Sequence, residues 1–398
     1  MIRRLCLLLL LPAALCAAEP SGTYFGARPG ALAKAKAVAT SDEAVAKALK
    51  KLVADADKAL AVVPPSVTQK TKVPPSGDKH DYMSLAPYFW PDPAKKDGLP
   101  YVRKDGKINP ESREESANDT LRARSVGATV ETLALAYHFT GEEKYAEHGA
   151  KVLRVWFLDP ATRMTPHFRF AQAVPGVNDG RGTGIVEARG LADAADAATL
   201  LAGSRHWTPA DRQALLAWGE AYFTWLTTSK NGQDESAAKN NHGTWYDVQA
   251  AKWALVLGHA DKAREICATA ATRRIEAQVQ PDGKQPLELA RTATFSYSCF
   301  NLRALSALAG LGEHAGIDLW KHRSADGRSL VAALDFLVPY LGENPKPWTM
   351  QQIRESNDDD VLPVLRAAAL ATGDERYESL LREYADHRSK RLQLLAPR

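Results

Sequence analysis

The 398-residue sequence predicts an all-α fold, an (α/α) toroid or incomplete barrel of antiparallel helical hairpins. Three observations lead there. Apolar residues recur at helical spacing through most of the chain after residue 120, with strand patterns scarce. The helical stretches come in pairs of about 40 to 50 residues, each pair broken by a turn signal. The pairs share no repeat consensus, which favours a closed ring of hairpins over a regular solenoid.

The elements follow in order. "MIRRLCLLLLLPAALCAAEP" has two arginines, an apolar run from Leu5 to Leu11 and small residues at Ala17 and Ala18. It reads as a secretory signal peptide over residues 1–18, too short to span a bilayer, and predicts a periplasmic or secreted protein with no stable membrane anchor. Residues 19–398 then form a single domain. Ala31 to Val62 reads as one or two helices. The prolines of residues 63–118 forbid a regular helix, and so long an irregular segment points to function.

Thr120 to Gly141 and Glu142 to Asp159 make the first hairpin, with Gly141 as the break. Gly184 to Ser204 and Thr208 to Ser229 make the second, with Thr208 as N-cap and Pro209 at the first helical position. Ala237 to Gly258 and Ala260 to Val279 make the third. Thr294 to Gly312 and the helices after Ser329 and Val361 continue the series.

Composition bounds the function. Once Arg3 and Arg4 leave with the leader, the 51 basic and 47 acidic residues come nearly into balance. There is no gross field for nucleic acid, so an anionic ligand must be gripped locally. Only Cys267 and Cys299 remain, as two buried thiols or one pair, and no disulfide scaffold is possible. HExxH and CxxC spacings are absent, so no zinc site is signalled. "GRGTG" lacks the preceding strand and the GK[ST] ending of a phosphate loop, and GxSxG is missing. "SNDDDVLP", Ser356 to Pro363, reads as a capped helix start or a calcium loop.

Four stretches gather polar and aromatic groups. "KNNHGTWYDVQ", Lys239 to Gln249, packs three amides, an imidazole, an indole, a phenol and a carboxylate among Ala-rich helices. On a helix, His242 shares a face with Trp245, Tyr246 and Gln249, and Asn241 stacks above Trp245. The bland alternative is a helix start capped by Asn240 or Asn241. In "QPDGKQPLELARTATFSYSCFNL", Gln285, Glu288, Arg291, Ser296, Tyr297 and Asn301 lead into an apolar helix. Arg291 and Tyr297 are six apart, about 120° around one helix, so to converge Arg291 must sit in the preceding turn or at the helix edge. "HDYMSLAPYFWPDP" presents Tyr82, Tyr88, Phe89 and Trp90 beside His80, as a sugar platform or as packing. "HFRFAQAVPGVNDGRGTGIVEARG" carries Gln172, four glycines between Pro175 and Gly184, and Arg181 among them, either a loop that closes over an anion or a plain connector.

With these residues in view, the sequence resembles the alginate lyase family of exported polysaccharide lyases, from about residue 75 to 370. "NNHGTWYD" and "ELARTATFSYSCFNL" carry the resemblance, supported by the aromatic segment and the glycine-rich loop. It implies a helical toroid that cleaves a 4-linked polyuronate by β-elimination and needs no cofactor or metal. It also implies catalytic roles for Asn241, His242, Arg291 and Tyr297. Substrate contacts are expected from His80, Tyr88, Trp90, Gln172, Arg181, Trp245, Tyr246 and Glu288. One departure stands out: the best-known branch spaces Arg and Tyr by seven residues, here by six.

The chemistry agrees. Removing the C5 proton of a uronate requires neutralising its carboxylate, which Asn241 suits, with help from His242 or Arg291. Tyr297, near 10 when unperturbed, needs a cationic neighbour to act as base, and Arg291 is the candidate. In mannuronate and glucuronate H5 and O4 share a side of the ring, so one tyrosine serves as base and then acid; guluronate requires His242 as separate base. Polymannuronate is the expected substrate, glucuronan the next. Two alternatives stay open: a glycoside hydrolase using two of Glu187, Asp247 and Glu288, or a non-catalytic glycan-binding protein.

Overall fold

The computed structural model describes residues 22–355, 360–384, 386–387 and 390–398. The expected leader and Ser356 to Asp359 of the aspartate cluster lie outside these residues. The described chain runs through α1 (Ala31–Val38), α2 (Glu43–Ala59), α3 (Thr120–Thr140), α4 (Glu143–Leu153), α5 (Arg189–Ala197), α6 (Pro209–Thr228) and α7 (Lys230–Ala237). It continues through α8 (Asn241–Val256), α9 (Ala260–Ala270), α10 (Pro286–Leu289), α11 (Thr294–His314), α12 (Leu330–Leu337), α13 (Leu362–Thr372), α14 (Glu375–Arg382) and α15 (Leu392–Leu395). The turn signals act as expected. Gly141 ends α3 in the left-handed conformation, and Thr208 caps α6 in a capping box with Asp211. Asn240 caps α8 and Ser329 caps α12.

Burial separates the helices into two layers. In α8 nearly every residue from Asn241 to Ala254 is buried, and α3 and α11 are buried on most sides. Such helices belong inside. By contrast α9 buries a single stripe, Ala263, Ile266, Cys267 and Ala270, and α4 likewise covers the interior with one face. The inner helices pack in sequence, α3 on α5, α5 on α8, α8 on α11 and α11 on α13. Glycines allow the closest of these approaches: a Cβ on Gly127 of α3 would lie 2.5 Å from the Gly190 carbonyl oxygen of α5. Cys267 and Cys299 are buried thiols with no disulfide between them.

The inner helices run parallel. At one mouth of the ring Thr120 of α3 meets Glu187, just ahead of α5, while Asn241 of α8 meets Glu288, just ahead of α11. Arg189 at the start of α5 stacks on Trp245 near the start of α8, and Lys252 further along α8 pairs with Asp193 in the middle of α5. Four helix N-termini therefore surround one mouth, where their dipoles favour an anion. The N-terminal segment crosses the opposite end. There Tyr24 Oη donates to Glu131 at 2.7 Å, and the Phe25 backbone N–H donates to Asp196 at 2.8 Å.

The irregular segment at 63–118 lies at the mouth where the helix N-termini gather. Its hold is Lys70, fully buried, whose ammonium donates to the carbonyls of Val67 (2.7 Å) and Lys79 (2.9 Å) and pairs with Asp119 (3.0 Å) at the start of α3. Two small sheets brace it. β1 (Met83–Leu85) pairs in parallel with β4 (Phe170–Ala173), and β2 (Phe89–Trp90) pairs antiparallel with β3 (Val102–Arg103). Among the described residues no helix is long and apolar enough to cross a membrane.

Candidate active site

Most polar residues of the 239–249 stretch have a specific partner, the buried Trp245 indole N–H being an exception. The Asn240 side chain caps the helix by accepting from the His242 N–H. Asn241 donates through its backbone N–H and its Nδ2 to the two oxygens of Glu288, both at 2.7 Å. His242 Nδ1 lies 2.7 Å from Glu235 Oε1, and Glu235 is itself buried on α7. That pairing places the proton on Nδ1 and leaves Nε2 without a protein hydrogen bond among the described residues. Asp247 forms a buried pair with Arg274, at 2.7 and 3.0 Å, and Arg274 also donates to the Ser236 and Ala238 carbonyls. Gly243 is required by this clamp: a Cβ there would sit 2.0 Å from the Ala238 oxygen and 2.4 Å from Arg274 Nη1.

Tyr297 comes from the first turn of α11. Its hydroxyl donates to Tyr88 Oη at 2.8 Å, which brings the aromatic segment onto the helix. Arg291 sits in the turn between α10 and α11, one of the two placements the six-residue spacing allows, with its guanidinium 3.8 Å from the Tyr297 ring centroid. Its charge is already matched. Asp105, which sequence reasoning missed, accepts from Arg291 Nη2 at 2.8 Å and from Thr292 Oγ1 at 3.0 Å. Burial opposes ionisation of Asp105, but Arg291 and Arg103 hold its carboxyl well below the usual range. The expectation that Arg291 would make Tyr297 a ready base therefore needs correction. The guanidinium lies over the ring face, and burial, followed by Tyr88, pushes the phenol above its usual value while Arg291 only partly opposes this.

Glu288 also departs from expectation. Its residue type suits a substrate contact, yet it is almost fully buried and both its oxygens are spent on Asn241. Burial pushes its carboxyl up, while the Asn241 donors, Arg291 and His242 pull it back. It orients Asn241. Because Glu288, Arg291 and Tyr297 share one short segment, this contact joins the Asn-His pair to the tyrosine.

The glycine-rich loop supplies the next wall. Gln172 is a non-glycine residue at φ 51°, a conformation that costs energy and recurs at functional sites. Its Nε2 donates to Glu187 at 3.2 Å, and its Oε1 accepts from Arg181 at 2.9 Å. Arg181 in turn lies 4.9 Å from the Phe89 ring centroid, beside Tyr88. A Cβ on Gly180 would meet the Arg169 oxygen at 2.1 Å and one on Gly184 would meet Ala171 at 2.4 Å, so these glycines serve close packing.

Four other expected contacts fall elsewhere. Tyr246 is buried with its hydroxyl donating to the Leu226 carbonyl at 3.1 Å, which makes it interhelix packing. Trp245 is buried between the Phe300 ring and the Arg189 guanidinium, so it supports the wall from behind. Trp90 donates its indole N–H to the Lys107 carbonyl and lies beneath Lys104. His80 bonds the Arg163 carbonyl and lines a cavity with Met164 and Trp218, apart from the Tyr297 cluster. Period and composition marked these residues as candidates, but neither reports which way a side chain is used.

The carboxylates needed by a hydrolase are all engaged. Glu187 accepts from Tyr82 at 2.7 Å and Ser84 at 2.6 Å, Asp247 holds Arg274, and Glu288 holds Asn241.

A ring of helical hairpins with a tyrosine, an oriented amide and an oriented imidazole at the mouth where its helix N-termini gather defines a class: the toroidal polysaccharide lyases. Comparison with known proteins makes the assignment particular. Residues 66–348 match the family model described as alginate lyase. An alginate lyase from Bacteroides ovatus is 41% identical, with a TM-score of 0.88, over 94% of this chain and 99% of that one. The alginate lyase A1-III from Sphingomonas species A1 shares the fold at 18% identity and a TM-score of 0.58, over 93% and 96% of the two chains. Comparison with curated protein sequences finds no match. The chain belongs to the alginate lyase family and is a polysaccharide lyase.

Proposed function

We propose that the protein is an exported lyase that cleaves 4-linked polymannuronate, and glucuronan second, by β-elimination at the Tyr297 site. The observation that carries this reading is the pairing of Asn241 and His242 with buried carboxylates, next to the segment bearing Tyr297. An amide and an imidazole held in fixed orientation can meet the substrate carboxylate without reorganising, which is where such sites gain most. Arg291 is bound to Asp105, so charge neutralisation falls to Asn241 and His242, and Arg291 positions the phenol by stacking on it.

In the reaction Tyr297 Oη, as phenolate, takes the C5 proton. Negative charge spreads onto the carboxylate held by Asn241 Nδ2 and His242. The C4–O4 bond then breaks, a C4–C5 double bond forms, and O4 receives the proton from the same phenol. Because only the ionised phenol is a base and its environment favours the protonated form, kcat/KM rises with pH through neutrality towards the ordinary tyrosine value of about 10. The leader reading supports export.

The test is a panel of uronate polymers followed by the ultraviolet absorbance of the unsaturated product. Tyr297→Phe is expected to lower kcat by about 10²–10⁴-fold and to leave oligosaccharide binding intact. Unchanged turnover in that variant, or new reducing ends without absorbance, would overturn the reading.

A further inference from the structure

One turn behind the catalytic groups lies a layer of buried polar side chains that the elimination chemistry does not use. Thr244, Gln278, Gln285, Ser298 and Asn301 are all buried. Thr244 follows Asn241 by one turn of α8, and Asn301 follows Tyr297 by one turn of α11, so each shares a face with a catalytic residue. Gln278 and Gln285 come from the chain that links α9 to α10.

Hydrogen bonds join them across the two helices. Gln278 Oε1 accepts from Thr244 Oγ1 at 3.1 Å and from Asn301 Nδ2 at 2.9 Å. Asn301 Nδ2 also donates to Gln285 Oε1 at 2.8 Å. Gln285 Nε2 donates to the carbonyl of Ser298, the residue after Tyr297, at 3.1 Å. The backbone of Gln285 starts α10: its carbonyl accepts from the N–H groups of Glu288 at 3.0 Å and Leu289 at 2.9 Å. Gln285 therefore holds the turn that presents Glu288 to Asn241 and, through its side chain, the first turns of the helix that carries Tyr297.

Stability alone gives no reason for this layer. A buried amide costs free energy unless its hydrogen bonds are complete. Here Gln278 Nε2 and Asn301 Oδ1 have no partner among the described residues. Apolar side chains of the same shape would fill the space at little or no loss. What amides add is direction, because a hydrogen bond fixes distance and angle while apolar burial fixes neither.

We propose that Gln285 and Asn301 are positioning residues that set the separation between the Tyr297 hydroxyl and the Asn241 amide. The inference rests on the lyase reading above and deepens it: a base and a carboxylate ligand acting on one sugar ring must hold their places to within about 0.5 Å.

The experiment measures kcat and KM on polymannuronate by ultraviolet absorbance, and Tm by thermal unfolding. Gln285→Met and Asn301→Leu keep the side-chain size without the hydrogen bonds, and are expected to lower kcat by about 10- to 100-fold with KM little changed. Thr244→Val, at the edge of the layer, is expected to lower kcat by about 2- to 10-fold. Leu381→Ala, fully buried on α14, is the control: its Tm falls and its kcat stays. In a Glu288→Gln background, Gln285→Met is expected to lower kcat by a smaller factor than it does alone, because both act through Asn241. Layer variants with kcat at the wild-type level, or no lower than that of Leu381→Ala, overturn the inference, as do losses that multiply in the double variant. Should Gln285→Met or Asn301→Leu fail to fold, as judged by circular dichroism, Thr244→Val decides. Unaffected variants of an active enzyme leave the lyase reading standing. A wild-type chain that forms no unsaturated product from any uronate polymer removes both.

Discussion

Replacing Glu288 separates two roles for a carboxylate in this site. Both its oxygens lie 2.7 Å from donors of Asn241, and the side chain is buried. Hydrogen bonds to a charged group contribute about 1.5–3 kcal/mol each, so Glu288→Ala, which strands both donors, is expected to cost roughly 3–6 kcal/mol of stability. Glu288→Gln keeps the shape and one acceptor but turns an amide N–H towards the second donor, and is expected to cost about half as much. The kinetic effect is separate. Asn241 helps only if its remaining N–H points at the enolate-like oxygen, and loss of one such donor costs about 10²–10³ in kcat. Denaturant titration measures the first effect; absorbance assays on polymannuronate measure the second. The reasoning predicts that kcat falls and KM changes little. A Glu288→Gln enzyme with kcat preserved and KM raised would show that this carboxylate meets the substrate instead.

Further expectations follow from the same geometry. Glu235→Gln weakens the hold on His242 Nδ1 and should lower kcat by about tenfold, more on polyguluronate than on polymannuronate, because only the former needs the imidazole as base; equal losses on both would contradict this. Gly243→Ala forces a methyl onto the Ala238 oxygen and Arg274 and should cost about 1–3 kcal/mol or more, read as a lower Tm. Asp196, buried with Oδ2 lacking a hydrogen bond, is pushed up to about 7 by burial. Its folded value exceeds the unfolded one of about 3.9, so stability is complete below that value and is lost as pH rises through 7, by up to about 4 kcal/mol. Asp196→Asn should therefore gain in Tm over wild type between pH 5 and pH 8, and a pH-independent difference would remove the assignment.

Much of the architecture is legible in residue order, because helix periodicity, caps and breakers are local. Gly141, Thr208 with Pro209, and Ser329 each do in the structure what their type predicts. The crowding of polar groups at 239–249 and 285–301 likewise marks the site, since amides and charges inside an apolar ring need a purpose. The six-residue spacing left Arg291 either the turn before α11 or the helix edge, and the structure takes the turn. Partnership was not legible. That Glu288 faces Asn241, that Asp105 satisfies Arg291 across 186 positions, and that Glu235 orients His242 all depend on segments brought together by packing. The same holds for Tyr246 and His80, whose types suit a sugar but whose hydroxyl and ring nitrogen are spent on backbone carbonyls. By itself the sequence determined a ring of helical hairpins and the two stretches that furnish its chemistry. The tertiary structure decided which polar groups are consumed holding one another and which remain available to substrate, because a hydrogen bond is settled by angstroms in space and spacing along the chain does not report them.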